Sequence, residues 1–411
     1  MSGGVVYSSP DPPTRGGVMR ELLERASQFE DDLIGLRRHF HQHPELSFKE
    51  QRTADEVARR VAEIGYAVKR NVGLTGVMAE LDNGEGPCVA LRADMDALPI
   101  QEANNVEYRS RNSGVMHACG HDAHMSMLVG AARLLMDLRA RDELPRGRIR
   151  LLFQPSEEAS DAENKSGATR MIEDGALDGV DAVFGMHVGA HLESGKFFLR
   201  AGPMMAGNDV FSATIVGKSS HAARPHEGVD AVVLASHVVL ACQNAVARRI
   251  SPFAQGVLTI GMIHGGTAEN IIADRVTLRG TMRYFDADVR KRLRQELRNA
   301  LAVAEALGAR AELDLRDGYP PVVNDVAMTD LAHGTIAEMF GTDAIADFEP
   351  MMGAEDFALM LREAPGAFMW LGAALEKPRE HHHPEFNIDE SVLVKGASAL
   401  AACAVQALRS L

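Results

Sequence analysis

Four apolar segments that each run into a polar cluster constrain this chain most. CVALRADMDA ends in Asp94 and Asp96, RIRLLFQPSEE in Glu157 and Glu158, and DAVFGMHV in His187, while AFMWLGAAL precedes HHHPEF. Such short runs, apolar throughout, read as strands buried on both faces of a sheet. Between them lie stretches with helical spacing, among them EQRTADEVARRVAEIGY and the run from about Ala123 to Arg139. Strands alternating with helices build an α/β sheet, whose ligands bind beyond the carboxyl ends of the strands. The four polar endings are therefore expected to converge on one crevice.

The pattern changes at Asn208. NDVFSATIVG, GVDAVVLASHVVLACQNAVARR, GVLTIGMIHG, RVTLRGTMRY, DADVRKRLRQELRNALAVAEAL and ARAELDL follow in the order β-α-β-β-α-β, a ferredoxin-like unit. Helix–strand alternation then resumes to the last helix, SVLVKGASALAACAVQALRSL. The expected architecture is a discontinuous α/β domain over 18–204 and 317–411, with a central mixed sheet flanked by helices. A smaller unit, 205–316, is inserted in it, and residues 1–17, rich in Gly, Pro and Ser, form a loose tail. From Val18 the spacing predicts one helix through VMRELLERASQFEDDLIGLRRHF.

Composition removes several function classes. The 43 basic and 57 acidic residues leave a net charge of −14, which repels a polyanion and disfavours nucleic acid. No apolar run approaches the roughly 18 residues of a membrane span, and the start lacks a basic segment followed by an apolar one, so neither insertion nor secretion is expected. Cys88, Cys119, Cys242 and Cys403 form no C-x-x-C pair, which points to a reducing, cytoplasmic setting. The odd feature is 16 histidines beside a single Trp.

Polar chemistry collects in Cys119-Gly120-His121-Asp122-Ala123-His124, because Cys, His and carboxylate together are first-row metal ligands. Glu157 and Glu158 follow an apolar strand and a proline, and adjacent buried carboxylates need a cation nearby or a shifted pKa. His124 reads as a support for its loop, and His39, His41 and His43 as structural.

RADMDALPI (92–100), MHACGHDAHM (116–125), the Glu157–Glu158 pair after QPS, GMHV (185–188), SSHAARPHEGVDA (219–231), GTAENIIAD (266–274), GAEDFA (353–358) and HHHPEF (381–386) together resemble one family. It is the metal-dependent amidohydrolases of the aminoacylase, hippurate hydrolase and auxin–amino-acid conjugate hydrolase group, with a zinc-peptidase-like catalytic domain. The resemblance runs from about residue 33 to the C-terminus. It implies hydrolysis of N-acyl amino acids on two divalent metals, zinc, cobalt, manganese or nickel, with Cys119 as a bridging thiolate. His121, His187 and Glu158 would be further ligands, and His382, two places before the proline, would complete the set. His381 and His383 flank His382 and leave that assignment open.

The same resemblance makes Asp96 an outer carboxylate that orients a ligand imidazole, and Glu157 the general base. Exchange of the two glutamate roles remains open, and Asp94 is either a second support or the partner of Arg92. From the inserted unit, taken as a lid and dimerisation domain, His221 would reach the partner subunit's site to steady an oxyanion, making the protein a homodimer. Asn270 would hold the substrate and Arg283 would grip its carboxylate, while His226 is a loop residue or a substrate contact. One departure is the polar stretch ASDAENKSG after Glu158, where the family has a short Gly-rich turn. The alternatives are an exopeptidase or dipeptidase of the same fold, and a metal-binding relative without catalysis, which the full set of candidate ligands disfavours. A zinc deaminase is excluded because its P-C-x-x-C partner motif is absent.

Overall fold

The computed structural model describes residues 15–411, with side chains from residue 21 onward. The expected tail therefore lies outside the described residues up to position 14. Its last three residues already belong to α1 (Arg15–Ser27), which α2 (Glu30–Gln42) follows. The one long helix expected from Val18 is thus two. The break falls at buried Phe29, and Glu30, Asp31 and Asp32 fill the first turn of α2, where the helix dipole favours acidic side chains. α3 (Gln51–Ile64) buries Ala54, Val57, Ala58 and Val61, spaced as one helical face, and stops at Gly65. That glycine has φ +114°, and its N–H donates to the carbonyls of Val61 and Ala62.

The chain continues through β1 (Ala67–Val72), β2 (Gly76–Asp82), β3 (Cys88–Asp94), α4 (His121–Ala140), β4 (Arg148–Gln154), α5 (Gly167–Glu173), β5 (Ala182–Gly189) and β6 (Phe197–Phe198). Next come β7 (Gly202–Met205), β8 (Gly207–Val216), β9 (Ser220–His221), α6 (Ala231–Arg249), β10 (Gly256–Gly265), β11 (Ile271–Ile272), β12 (Arg275–Tyr284), α7 (Ala287–Ala306), β13 (Arg310–Asp317) and β14 (Val322–Asn324). The last elements are α8 (Val326–Phe340), β15 (Ile345–Ala346), α9 (Phe357–Glu363), β16 (Gly366–Gly372) and α10 (Leu393–Ser410). Two compact units result. Among the described residues one comprises 15–201 with 324–348 and 360–411, and the other 202–323 with 349–359.

In the first unit an eight-stranded mixed sheet has the order β1-β2-β4-β3-β5-β16-β6-β15. The four strands marked by the apolar segments, β4, β3, β5 and β16, are adjacent and parallel. β3, β5 and β16 are buried along their whole length, as the lack of alternation in their sequences requires. α4 and α10 pack on each other and on β3 and β5.

The second unit holds a four-stranded antiparallel sheet in the order β10-β12-β8-β13, with α6 and α7 packed against it. β8 alternates buried and half-buried residues along all ten positions, the pattern of a sheet covered on one face. Residues 349–359, assigned to the first domain by the sequence reading, belong here because Met351 exchanges backbone hydrogen bonds with Met204 and Ala206.

Two helices are more apolar than the sequence reading allowed. α6 and the segment 390–410 reach a mean hydropathy of 1.4 and 1.5 over an 18-residue window. The second window is 83% buried in the first unit, so its apolarity is that of a core helix.

Candidate metal centre

Because β4, β3, β5 and β16 run parallel and in register, their carboxyl ends share one edge. Asp94 and Asp96, Glu157 and Glu158, and His187 therefore meet there, as their positions in the sequence foretold. The loop carrying Cys119 joins them through Gly120, which caps α4 with φ +93°. A Cβ on Gly120 would lie 2.4 Å from the Val188 side chain, so only glycine lets this loop press against β5.

Cys119 Sγ lies 3.5 Å from His187 Nε2 and 3.7 Å from His381 Nδ1. His187 donates from Nδ1 to its neighbour's carbonyl, Val188 O, at 2.8 Å, which turns Nε2 toward the thiol. His121 is aimed in the same way, donating from Nδ1 to Asp96 O at 2.8 Å. Its Nε2 is buried with no hydrogen-bond partner, 3.6 Å from Asp94 Oδ2 and 4.0 Å from Glu158 Oε1. His382 Nε2 approaches Glu158 Oε1 at 3.1 Å without the alignment of a hydrogen bond, so that oxygen too is buried and unpartnered. Both C-terminal histidines thus reach the centre, His381 beside the thiol and His382 beside the glutamate. His383 is exposed and accepts at Nδ1 from Glu385 N.

The donor atoms of Cys119, His187 and His381 lie within 4.8 Å of one another, and so do those of Cys119, His121 and Glu158. Two triads share one sulfur. His124 also offers a nitrogen within 4.8 Å of those of His121 and His187, but both its nitrogens are committed. Nδ1 donates to Asp94 Oδ1 at 2.6 Å, and Nε2 accepts from Val188 N at 2.9 Å. Asp94 answers the question left open, since its other oxygen pairs with Arg92 at 2.7 Å.

The electrostatics call for cations. Burial, then Glu158, Glu157 and Asp94, push the Cys119 thiol far above its ordinary range. His121 is lowered by burial, but Asp94 and Asp96 outweigh that and lift it to about 10. His187 and His381 are pushed down by burial and by neighbouring imidazoles, His381 to about 3, which leaves them neutral and able to give a lone pair. A thiol that cannot ionise alone, neutral imidazoles, surplus carboxylate charge and two orphaned buried atoms fit divalent ions, which turn such a thiol into a thiolate. The residues present match a two-metal site.

Asp96 anchors the turn that carries the glutamates. Its Oδ1 accepts from Glu157 N and its Oδ2 from Glu158 N, both at 3.1 Å, and Ser47 Oγ donates to Oδ2 at 2.6 Å. Farther back, His41 bridges Asp122 (2.7 Å) and Glu102 (3.2 Å), and buried Arg37 also pairs with Asp122. This network clamps α2 to the start of α4; apart from the histidine-rich stretch, the sequence reading missed it. The single Trp singled out by composition is Trp370, near the end of an apolar strand, and its ring stacks on His187. The polar stretch after Glu158 closes on itself, with Asp161 Oδ1 accepting from Glu163 N and Lys165 N.

The second unit carries the expected substrate residues. β9 pairs with β11, setting exposed His221 opposite Ile271, and Ala222 N donates to Asn270 O at 3.0 Å. His221 and Asn270 are therefore neighbours. Arg283 lies apart on β12 and donates from Nη1 to Met352 O. His226 is exposed in the turn 225–227.

A sheet-edge cluster in which one Cys/His/His triad and one Cys/His/carboxylate triad share a sulfur, beside a further buried glutamate, defines a metal-dependent hydrolase. The chain belongs to peptidase family M20/M25/M40, whose family model matches residues 90–406. It is 42% identical over 380 residues to an N-acetyl-L-cysteine deacetylase of Bacillus subtilis, covering 90% of this chain and 87% of that protein. It is 39% identical to thermostable carboxypeptidase 2 of Saccharolobus solfataricus, covering 95% and 98%. Among solved structures it resembles a dinuclear metal-binding peptidase of family M20 from B. subtilis, with a TM-score of 0.81, 34% identity and coverage of 94% and 100%. Family and relatives make it a metal-dependent amide hydrolase.

Proposed function

We propose that the protein hydrolyses the amide bond of N-acyl amino acids, releasing a carboxylic acid and a free amino acid. The observation that carries this reading is the pair of triads sharing Cys119, with Glu157 alongside. Divalent ions held there by Cys119, His121, Glu158, His187 and the His381–His382 pair supply Lewis acidity and lower the pKa of water. Zinc, cobalt, manganese and nickel all suit this donor set. Glu157 accepts the proton of the attacking water and passes it to the leaving amine. Arg283 grips the substrate carboxylate, and Asn270 orients the amide. Exposed His221, contributed by the partner of a homodimer, donates to the oxyanion. Four unpaired cysteines are in keeping with a reducing, cytoplasmic setting.

Likeness to a carboxypeptidase favours a second reading, in which the acyl group is itself a peptide. Arg283 keeps its role there, because a peptide C-terminus presents the same carboxylate. Turnover of N-acetyl- and N-benzoyl-amino acids, compared with blocked and free dipeptides before and after chelation, separates the two. Faster acyl-amino-acid hydrolysis that disappears with the metal supports the first reading, and faster dipeptide hydrolysis overturns it.

A further inference from the structure

Glu50 is fully buried and lies outside the motifs that carry the family resemblance. It stands at the N-cap of α3, yet its side chain makes no capping hydrogen bond. The carboxylate instead ties three separate segments together. Oε1 accepts from Phe48 N and from Ser156 N, both at 2.9 Å, and Oε2 accepts from Thr75 Oγ1 at 2.6 Å. Burying a carboxyl group is costly, and a helix cap can be made by an exposed one, so this placement needs another reason.

Ser156 supplies it. The residue sits at φ +44°, a left-handed conformation that a non-glycine residue holds only when its surroundings impose it. Its N–H is held by Glu50, its carbonyl accepts from Gly167 N at 2.9 Å, and its hydroxyl donates to Ala159 O at 2.8 Å. Gly167 has no freedom to be larger, because a Cβ there would lie 1.5 Å from Pro155 O. The next two N–H groups, of Glu157 and Glu158, go to Asp96. Two buried carboxylates therefore hold three successive N–H groups of one strained turn, and that turn aims both glutamates.

We propose that Glu50 is a positioning residue, which fixes Ser156 so that Glu157 and Glu158 point into the metal centre. This rests on the roles given above to Glu157 and Glu158. Its work is done by hydrogen-bond acceptance rather than by charge. Burial and the nearby Asp96 hold the Glu50 carboxyl up to about 7, so the neutral form is already well populated at neutral pH. A glutamine offers the same Oε1 to Phe48 and Ser156, and its NH2 can donate to the Thr75 hydroxyl.

The test compares Glu50→Gln, Glu50→Asp and Glu50→Ala in the metal-loaded full chain, with turnover expressed per bound metal pair. Glu50→Ala is expected to lose about 10- to 100-fold in kcat with KM within about threefold, because a turn displaced by about 1 Å misaims the base. Glu50→Gln is expected within about threefold of the parent, and Glu50→Asp, one methylene short of Ser156, in between. A purely structural role would lower thermal stability and yield while leaving kcat per loaded site unchanged. That result, or a Glu50→Gln variant as impaired as Glu50→Ala, overturns the proposal. If Glu50→Ala does not fold, the Gln and Asp pair decides by the same criterion. Glu157→Gln, measured in parallel, checks the underlying reading. A fully active Glu157→Gln refutes the general-base role itself, whereas an inactive one beside an unaffected Glu50→Ala refutes only the part given to Glu50.

Discussion

Trp370 stacks on His187, with ring centroids 4.3 Å apart and planes inclined by 27°. It is the only tryptophan in the chain, and its indole N–H is buried without a hydrogen-bond partner. A cation held by His187 would draw electron density from the imidazole that lies against the indole. Titrating metal-stripped protein with a divalent ion is therefore expected to change tryptophan emission in a saturable way. His187→Ala should abolish the change. Emission that stays constant while metal content rises would place the ion elsewhere.

Asp96 accepts both glutamate N–H groups and the Ser47 hydroxyl, and lies 3.2 Å from His121 Nδ1. Asp96→Ala is expected to weaken metal binding by about 10- to 100-fold and to lower kcat as well, since one side chain contacts both the proposed ligand His121 and the turn of the proposed base Glu157. Asp96→Asn, which keeps one carbonyl oxygen, should fall between. Competition with a chromogenic chelator measures the affinity, and a parental value in Asp96→Ala would contradict the assignment.

His381 lies in the triad with Cys119 and His187, whereas His382, outside both triads, lies 3.1 Å from Glu158. Replacing either with alanine is expected to reduce bound metal, whereas His383→Ala should not. Metal analysis of the three variants after dialysis decides the matter. A single histidine replacement that leaves both stoichiometry and affinity intact removes that residue from the ligand set.

The buried His41–Glu102 pair makes stability depend on pH. Burial and Arg37 push His41 down, but hydrogen bonds to Asp122 and Glu102 more than reverse this, so its folded pKa lies above 6.5. Its contribution is complete below that value and is lost as pH rises through the raised one. Burial pushes Glu102 up, but His41 outweighs it and holds the folded pKa below 4.5, so the contribution of Glu102 is present above 4.5 and lost toward acid. Together they stabilise most between 4.5 and 6.5. Thermal unfolding of the parent and His41→Asn across pH should show their difference shrinking above neutrality. A difference that widens with rising pH would mean that His41 is buried neutral.

If His221 acts in the partner's site, two inactive variants can rescue each other. Glu157→Gln mixed with His221→Ala gives hybrid dimers with one site carrying both lesions and one carrying none. After subunit exchange at equal amounts, about a quarter of parental activity is expected. No recovery, with exchange verified by mass, would assign His221 to its own subunit or to no catalytic role.

Sequence showed the architecture well where periodicity is strong. The four strands of the site were legible because burial on both faces removes polar alternation, and the polar residues at their ends stand out for the same reason. Cys119, His121, Glu158 and His187 were singled out by the family resemblance, and their donor atoms lie close together in the structure. The parts taken by Glu50, Trp370 and the Arg37–His41–Asp122–Glu102 network were not legible. Each acts through contacts between segments far apart in the chain, 106 positions for Glu50 with Ser156, and no local pattern records such a pairing. The division between His381 and His382 was equally hidden, because adjacent histidines differ only in where the backbone turns them, and His382 has φ +65°.

Metal content and hydrolysis in Cys119→Ala, set beside the parent, test the shared-thiolate centre most directly. Two divalent ions per parent chain are predicted. The variant should lose most of its bound metal and its amide hydrolysis together, because both triads lose the same donor. A Cys119→Ala protein that retains two ions and cleaves N-acyl amino acids at the parental rate would contradict it.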